Sequence, residues 1–220
     1  VEQAMALQHE ITYLDEEDYI RGSVEKMEYI MPIVERKGDS LAVIINSPGA
    51  ALIGDDLDGA IDRAGFADKM LTLDEPTFST PASTAYDSTI CSIVDWLDPP
   101  RTDRIPNSVN ILGMSITNKD WRHGISELQG LLKKMGLNVL SVPGAACTVE
   151  GLRRSVRASC NVIVSPEYGI STAQKYEEKY GIPWVMSEEG APVGFSATER
   201  WLRTVAEATG RNFECLFKGV

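Results

Sequence analysis

The chain has 220 residues, 43% apolar and 24% charged, enough to bury a full core and to fill one or two domains of ordinary size. Its 32 Asp and Glu outnumber 21 Lys and Arg, and the net charge of −11, with no basic run or aromatic-basic interleaving to offset it, argues against a nucleic-acid partner. The longest apolar runs, such as Leu41–Ile45 and Val162–Val164, fall far short of the roughly 20 residues of a membrane span, so no membrane association and a cytoplasmic location are expected.

Short β-branched runs alternate with amphipathic stretches, the pattern of parallel sheets flanked by helices. In chain order the sequence predicts a helix over Tyr19–Val34, a strand over Leu41–Ile45, a helix over Asp55–Ala64, a strand over Met70–Leu73 and a helix over Thr84–Leu97. The stretch from Asp98 to Ser108 then carries three prolines and almost no apolar side chains, so it continues neither element type and reads as a domain boundary. Beyond it the prediction is a strand over Val109–Met114, a helix over Trp121–Met135, a strand over Val139–Val142 and a helix over Val149–Val156. A strand over Asn161–Ser165, a helix over Ser171–Tyr180, a strand over Pro183–Met186 and a helix over Ala197–Ala208 complete the chain. In the helix over Trp121–Met135, Ile125, Leu128, Leu131, Leu132 and Met135 share one face, and Gly136 stands where a helix-closing glycine belongs.

The fold class that follows is α/β, with two Rossmann-like units whose parallel sheets are flanked by helices. Residues 1–98 form the first unit, 99–108 a proline-rich linker and 109–220 the second. Such doubled units bind ligands in the crevice at the carboxyl ends of their strands. The four cysteines, Cys91, Cys147, Cys160 and Cys215, form no C-x-x-C pair and have no histidine at metal spacing, so neither a disulfide framework nor a zinc site is expected. Val1 in place of a methionine suggests processing, a tag scar or a fragment of a longer chain.

The order of certain segments carries a family resemblance. Val109-Asn110-Ile111-Leu112-Gly113 is followed by a helix ending Leu131-Leu132-Lys133-Lys134-Met135-Gly136-Leu137, then by Ala158-Ser159-Cys160-Asn161-Val162-Ile163-Val164 and by Glu177-Glu178-Lys179-Tyr180-Gly181-Ile182-Pro183-Trp184. Taken together they resemble the second domain of nitrogenase component 1 subunits and their relatives in tetrapyrrole and cofactor biosynthesis. In the first half, Leu52-Ile53-Gly54-Asp55-Asp56 is similar to that family's Ile-Gly-Asp-Asp signature. The resemblance spans about residues 10 to 210. It implies three Rossmann-like domains in an intact subunit, a homologous component 1 subunit as partner, electrons from an ATP-dependent iron–sulfur reductase, and an iron–sulfur cluster or tetrapyrrole as the bound group.

The same resemblance locates the family's ligands. Its bridging-cluster cysteine falls on Pro48, or on Ser47 with one residue inserted, and its cofactor-ligating cysteine falls on Ser165. Alignment around Tyr86-Asp87 puts Ser83 where nitrogenase has a cofactor-contacting histidine. Hydroxyls and proline do not replace soft thiolate donors, so a dinitrogen-reducing subunit is excluded by residue type.

Other candidates follow from the residues themselves. Cys147 lies in the loop Pro143-Gly144-Ala145-Ala146-Cys147-Thr148 ahead of a helix start, a place that favours thiolate, so it is either a reactive thiol or a small buried loop residue. Gly54, Asp55 and Asp56 either shape the cofactor pocket or serve as an acidic helix start favoured by the macrodipole. Asp15-Glu16-Glu17-Asp18 likewise reads as a solvated helix start or as a docking patch for a basic surface. Cys91, Cys160, Trp121, Trp184 and Trp201 read as core. Gly113 lacks the companion glycines of a nicotinamide fingerprint. Two functions are expected to compete: an oxidoreductase subunit delivering low-potential electrons to a metallocofactor or tetrapyrrole, and a non-catalytic binding or assembly scaffold for a metallocluster, corrinoid or tetrapyrrole. A sugar- or nucleotide-binding protein of similar fold is a third.

Overall fold

The computed structural model describes residues 12–46, 48–74 and 80–217, and the chain divides into two compact α/β units between Thr80 and Pro81.

The first unit holds α1 (Glu16–Arg21), α2 (Val24–Glu35), β1 (Ala42–Asn46), the single turn α3 (Pro48–Ala51), α4 (Leu57–Ala64) and β2 (Met70–Asp74). β1 and β2 pair in parallel, from Ala42 opposite Met70 to Asn46 opposite Asp74. Met27 and Met31 of α2 pack against Leu57, Ala60 and Ile61 of α4 and against Met70. The single helix expected over Tyr19–Val34 is two helices. Gly22 breaks it at φ +94°, a conformation that glycine adopts without strain. The acidic run ahead of the break is a capping box: Asp15 accepts from the amides of Glu17 and Asp18, and the Asp15 amide donates back to the Asp18 carboxylate. Asp18 also pairs with Lys26, and Glu17 with Arg21 at 2.9 Å, so much of this charge is engaged locally.

The second unit contains α5 (Ala82–Leu97), β3 (Ser108–Leu112), α6 (Trp121–Lys134), β4 (Asn138–Ser141) and α7 (Val149–Ser155). β5 (Cys160–Ile163), a 3-10 turn (Pro166–Tyr168), α8 (Ile170–Tyr180), β6 (Trp184–Met186), α9 (Phe195–Thr209) and a second 3-10 turn (Phe213–Phe217) follow. The strands are all parallel, in the order β4-β3-β5-β6. Side-chain alternation sorts the two faces. Val109, Ile111, Cys160 and Val162 meet Ile125, Leu128 and Leu132 of α6 and Trp201, Leu202 and Val205 of α9. Leu112 and Ile163 instead meet Ala173 of α8. Trp201 is 1% exposed and donates its indole N–H to the Ile163 carbonyl at 2.7 Å, so its one polar atom is satisfied inside the core. Asn110 and Asn161, paired across β3 and β5, are also buried; Asn110 Nδ2 donates to Asn161 Oδ1 and to the Ser155 carbonyl, both at 2.8 Å.

The division ahead of α5 differs from the boundary expected at the proline-rich stretch. That stretch belongs to the second unit because its polar groups are fastened there. Arg101 donates to the Lys179 carbonyl at 2.6 Å, Arg104 to the Gly181 carbonyl, and the Ile105 amide to the Arg157 carbonyl at 2.7 Å. Asp87 of α5 is likewise tied to α8, accepting from the Ser171 and Thr172 amides at 2.7 and 3.1 Å and from the Thr172 hydroxyl at 2.6 Å. A carboxylate on a neighbouring helix thus caps the start of α8, which has no cap of its own. Among the described residues no helix is long and apolar enough to cross a membrane.

Candidate functional site

In the second sheet β3 has β4 on one side and β5 on the other, so the connections leaving β3 and β5 run in opposite directions and the switch point, the place where such sheets bind ligands, lies at the carboxyl ends of these two strands. The loops there touch through their backbones. Gly113, directly after β3, has φ +81°, and a Cβ on it would lie 2.2 Å from the Ser165 carbonyl oxygen and 2.7 Å from the Ser165 nitrogen. A Cβ on Gly169 would in turn lie 2.6 Å from the Gly113 nitrogen. Only residues without a side chain let these two loops meet. The early bend at Gly113 also ends β3 at Leu112, short of the expected Met114.

Tyr86 of α5 ties the edge together. Its hydroxyl donates to the Gly144 carbonyl, in the β4–α7 loop, and accepts from the Ile116 amide, in the β3–α6 loop, at 3.4 Å. Its ring meets Tyr168, in the β5–α8 connection, edge to face at 5.8 Å. In the β3–α6 loop, Ser115 is buried, with its hydroxyl 2.7 Å from that of Thr117, while Ile116 is partly exposed. Tyr86 therefore contacts three loops, a role the sequence does not advertise: an aromatic on an amphipathic helix has the same pattern whether it fills a core or bridges loops.

The expected site residues fall into the two units. Ser165 sits against Gly113, and its carbonyl accepts from the Tyr168 amide at 3.2 Å. Ser83 lies in the first turn of α5, one turn before Tyr86, and is half-buried. Cys147 lies in the β4–α7 loop, 2.9 Å from the Ser141 hydroxyl, and its Sγ donates to the Thr148 carbonyl at 3.2 Å. Burial pushes the Cys147 thiol up, against the opposing pull of its bonds to Ser141 and Val142, and Thr148 rather than the cysteine caps α7. The thiolate expected from a helix start is thus disfavoured by desolvation. Cys160 is core as expected, its thiol raised by burial to about 11, and the Cys91 thiol is also raised by burial.

In the first unit, Pro48 opens α3 just beyond β1, and Ser47 lies outside the described residues. Gly54 has φ +76°. Asp55 accepts from both the amide and the hydroxyl of Ser23, each at 2.6 Å, and so pins the α1–α2 junction. Asp56 caps α4 through the Gly59 amide at 2.9 Å. Both carboxylates therefore hold the scaffold. Among the described residues, no three His, Cys, Asp or Glu side chains gather in a metal-holding group.

A parallel sheet with a backbone-locked carboxyl edge and repeated strand-then-helix order defines a Rossmann-type α/β protein. The family model described as nitrogenase component 1 type oxidoreductase matches residues 2–217, and the chain belongs to that family. It is 28% identical over 192 residues to a subunit of light-independent protochlorophyllide reductase from Chloroflexus aurantiacus, covering 86% of this chain and 35% of the relative. It is 32% identical over 171 residues to the corresponding subunit from Jannaschia sp., covering 77% and 32%. The chain thus spans about a third of the length of these relatives. Among solved structures, Nitrogenase Cp1 at pH 5 superposes with a TM-score of 0.75 at 21% identity, over 93% of this chain and 42% of that one, which establishes the shared fold.

Proposed function

We propose that the chain is the component 1-type part of an oxidoreductase in which low-potential electrons reach a tetrapyrrole held at the carboxyl edge of the second sheet. A homologous component 1 subunit and an ATP-dependent iron–sulfur reductase are its proposed partners. The observation that carries this reading is the family match over residues 2–217, which includes both strand-edge loops described above. The relatives named for protochlorophyllide reduction favour a tetrapyrrole as the bound group.

The donor set argues in the same direction. Pro48, Ser83 and Ser165 offer no thiolate, and Cys147 is a desolvated thiol bonded to Ser141, so a thiolate-held iron–sulfur cluster does not fit these positions. A macrocycle needs no soft ligand. It needs a flat apolar surface with a few polar contacts, and Ile116, Tyr86 and Tyr168 with the exposed Thr117 hydroxyl are of that type. The electron chemistry resides in the bound group and the reductase, and this chain's contribution is to seat and orient the ligand.

A second reading, a non-catalytic scaffold that binds or assembles a metallocluster, corrinoid or tetrapyrrole, is favoured specifically by the serine and proline at the ligand positions. Anaerobic purification of a longer protein containing this chain, with assays of iron, acid-labile sulfide, absorption spectrum and reductase-dependent turnover, separates the two. Reductase-dependent reduction of a bound tetrapyrrole supports the oxidoreductase. Stoichiometric macrocycle binding without turnover supports the scaffold, and tight nucleotide binding with no macrocycle overturns both.

A further inference from the structure

The amino edge of the second sheet carries a charge cluster that the proposed reaction leaves unused. α5 ends there at Leu97, α7 at Ser155 and α8 at Tyr180, and arginine side chains reach the carbonyls that these helix ends present. Arg153, Arg154 and Arg157 line a hollow of about 210 Å³ together with Glu150, Pro99, Pro100 and Thr102.

Helix C-termini attract cations, which accounts for the presence of arginines but not for how little they are engaged. Arg153 donates to the Leu97 carbonyl at a long 3.4 Å, and Arg157 to the Asp103 carbonyl at 3.2 Å. The Arg154 guanidinium forms neither a hydrogen bond nor an ion pair among the described residues. Three guanidiniums carry about fifteen N–H donors, so most of these remain open to a ligand. None of the three forms an ion pair among the described residues, in a chain where carboxylates outnumber cations by 32 to 21.

Such donors favour phosphoryl groups, because the planar guanidinium fork matches two phosphate oxygens at once. The chain's net charge of −11 does not defeat this. At physiological ionic strength, charges beyond about 8 Å are largely screened, so the nearby arginines set the local potential. The hollow's size points to a small occupant, since it lies below the roughly 300–1,000 Å³ of pockets that hold drug-sized ligands. Pro99 and Pro100 supply a wall of fixed φ, so the cavity is partly preformed.

We propose that this hollow is an anion site for a phosphoryl group, taken either as inorganic phosphate or pyrophosphate or as a small phosphate ester. The test is titration of the 220-residue chain with pyrophosphate, inorganic phosphate and glycerol phosphate at constant ionic strength, followed by calorimetry and amide NMR. Saturable binding with shifts clustered at residues 99–102 and 150–157 is expected. The double variant Arg153→Ala/Arg154→Ala should weaken it by about tenfold or more, as loss of charge-assisted hydrogen bonds implies. Glu150→Gln, which removes the carboxylate lining the same hollow, should tighten binding a few-fold, about the effect of one nearby charge. Arg153→Lys/Arg154→Lys keeps the charge without the fork and should recover only part of the affinity. Tighter binding of the ester than of pyrophosphate assigns the site to esters, and the reverse order to the inorganic anion. Non-saturating shifts, or lysine variants that bind like the parent, would overturn the proposal. So would binding of a glutamate-rich peptide while all three phosphates fail, which would mark a docking surface for acidic protein. Because the arginines are at the surface, folding of the variants is checked by circular dichroism. Should the alanine pair not fold, Glu150→Gln and the lysine pair still decide the matter.

Discussion

In the second unit, apolar side chains leave both faces of the sheet for packed helices: Val109, Ile111 and Val162 on one side, Leu112 and Ile163 on the other. In the first unit, Ala42 and Ile44 turn toward the cluster of α2 and α4, while Ile45 in the same strand is 72% exposed. Parallel sheets are stable when both faces are shielded from water. The difference indicates that the second unit holds most of the chain's local stability, and that the first, with a methionine-rich core of adaptable side chains, opens more readily. Native-state hydrogen exchange should accordingly protect β3 and β5 amides more than those of β1 and β2, and equal protection would break the comparison.

Substitutions sharpen it, from large effect to small. Trp201→Ala removes the largest buried side chain of the second core and should cost about 3–5 kcal/mol in urea unfolding followed by circular dichroism. Met31→Ala, in the small first core, should cost about 2–4 kcal/mol, with the loss of exchange protection confined to residues before Thr80. Asp87→Asn leaves a weaker acceptor for the α8 amides and should cost about 1–3 kcal/mol, seen as fraying at Ser171 and Thr172. Tyr86→Phe removes the bond to Gly144 and should cost about 0.5–1.5 kcal/mol, with amide shifts spreading to Ile116.

The smallest effect belongs to Asp95. Desolvation pushes its carboxyl up, but hydrogen bonds from Lys175 and Lys179 outweigh this and hold it below the ordinary value. A carboxyl lowered by folding stabilises the native state above its unfolded pKa, and that contribution fades as the pH falls through the folded value. Asp95→Asn should therefore cost about 0.2–1 kcal/mol at neutral pH, the range for a solvent-screened pair. The gap between variant and parent should close in acid; a gap that widens there would refute the assignment.

Much of this architecture is legible in the sequence. Each predicted strand is found with ends shifted by a residue or two, because a strand buried on both faces, such as β3, leaves a short apolar, β-branched run in the chain. What local pattern cannot show is attachment through distant partners. The break at Gly22 depends on Asp55 binding Ser23, and the proline-rich stretch lost its expected linker role to Arg101, Arg104 and Ile105 reaching the second unit. The candidate site divides the same way. Family resemblance singles out Ser83 and Ser165, and the loop ahead of a helix start singles out Cys147, whereas the bridging role of Tyr86 exists only once three loops meet.

The contact between Gly113 and Gly169 has a further consequence for how this edge can diversify. Two crossovers welded at their roots form a floor that does not shift when the groups standing on it change. If the proposed ligand sits there, exchanging Ile116 or Tyr168 would change its seat without disturbing the strands below. A methyl group at position 113 would instead pry the crossovers apart and unsettle the ends of both strands.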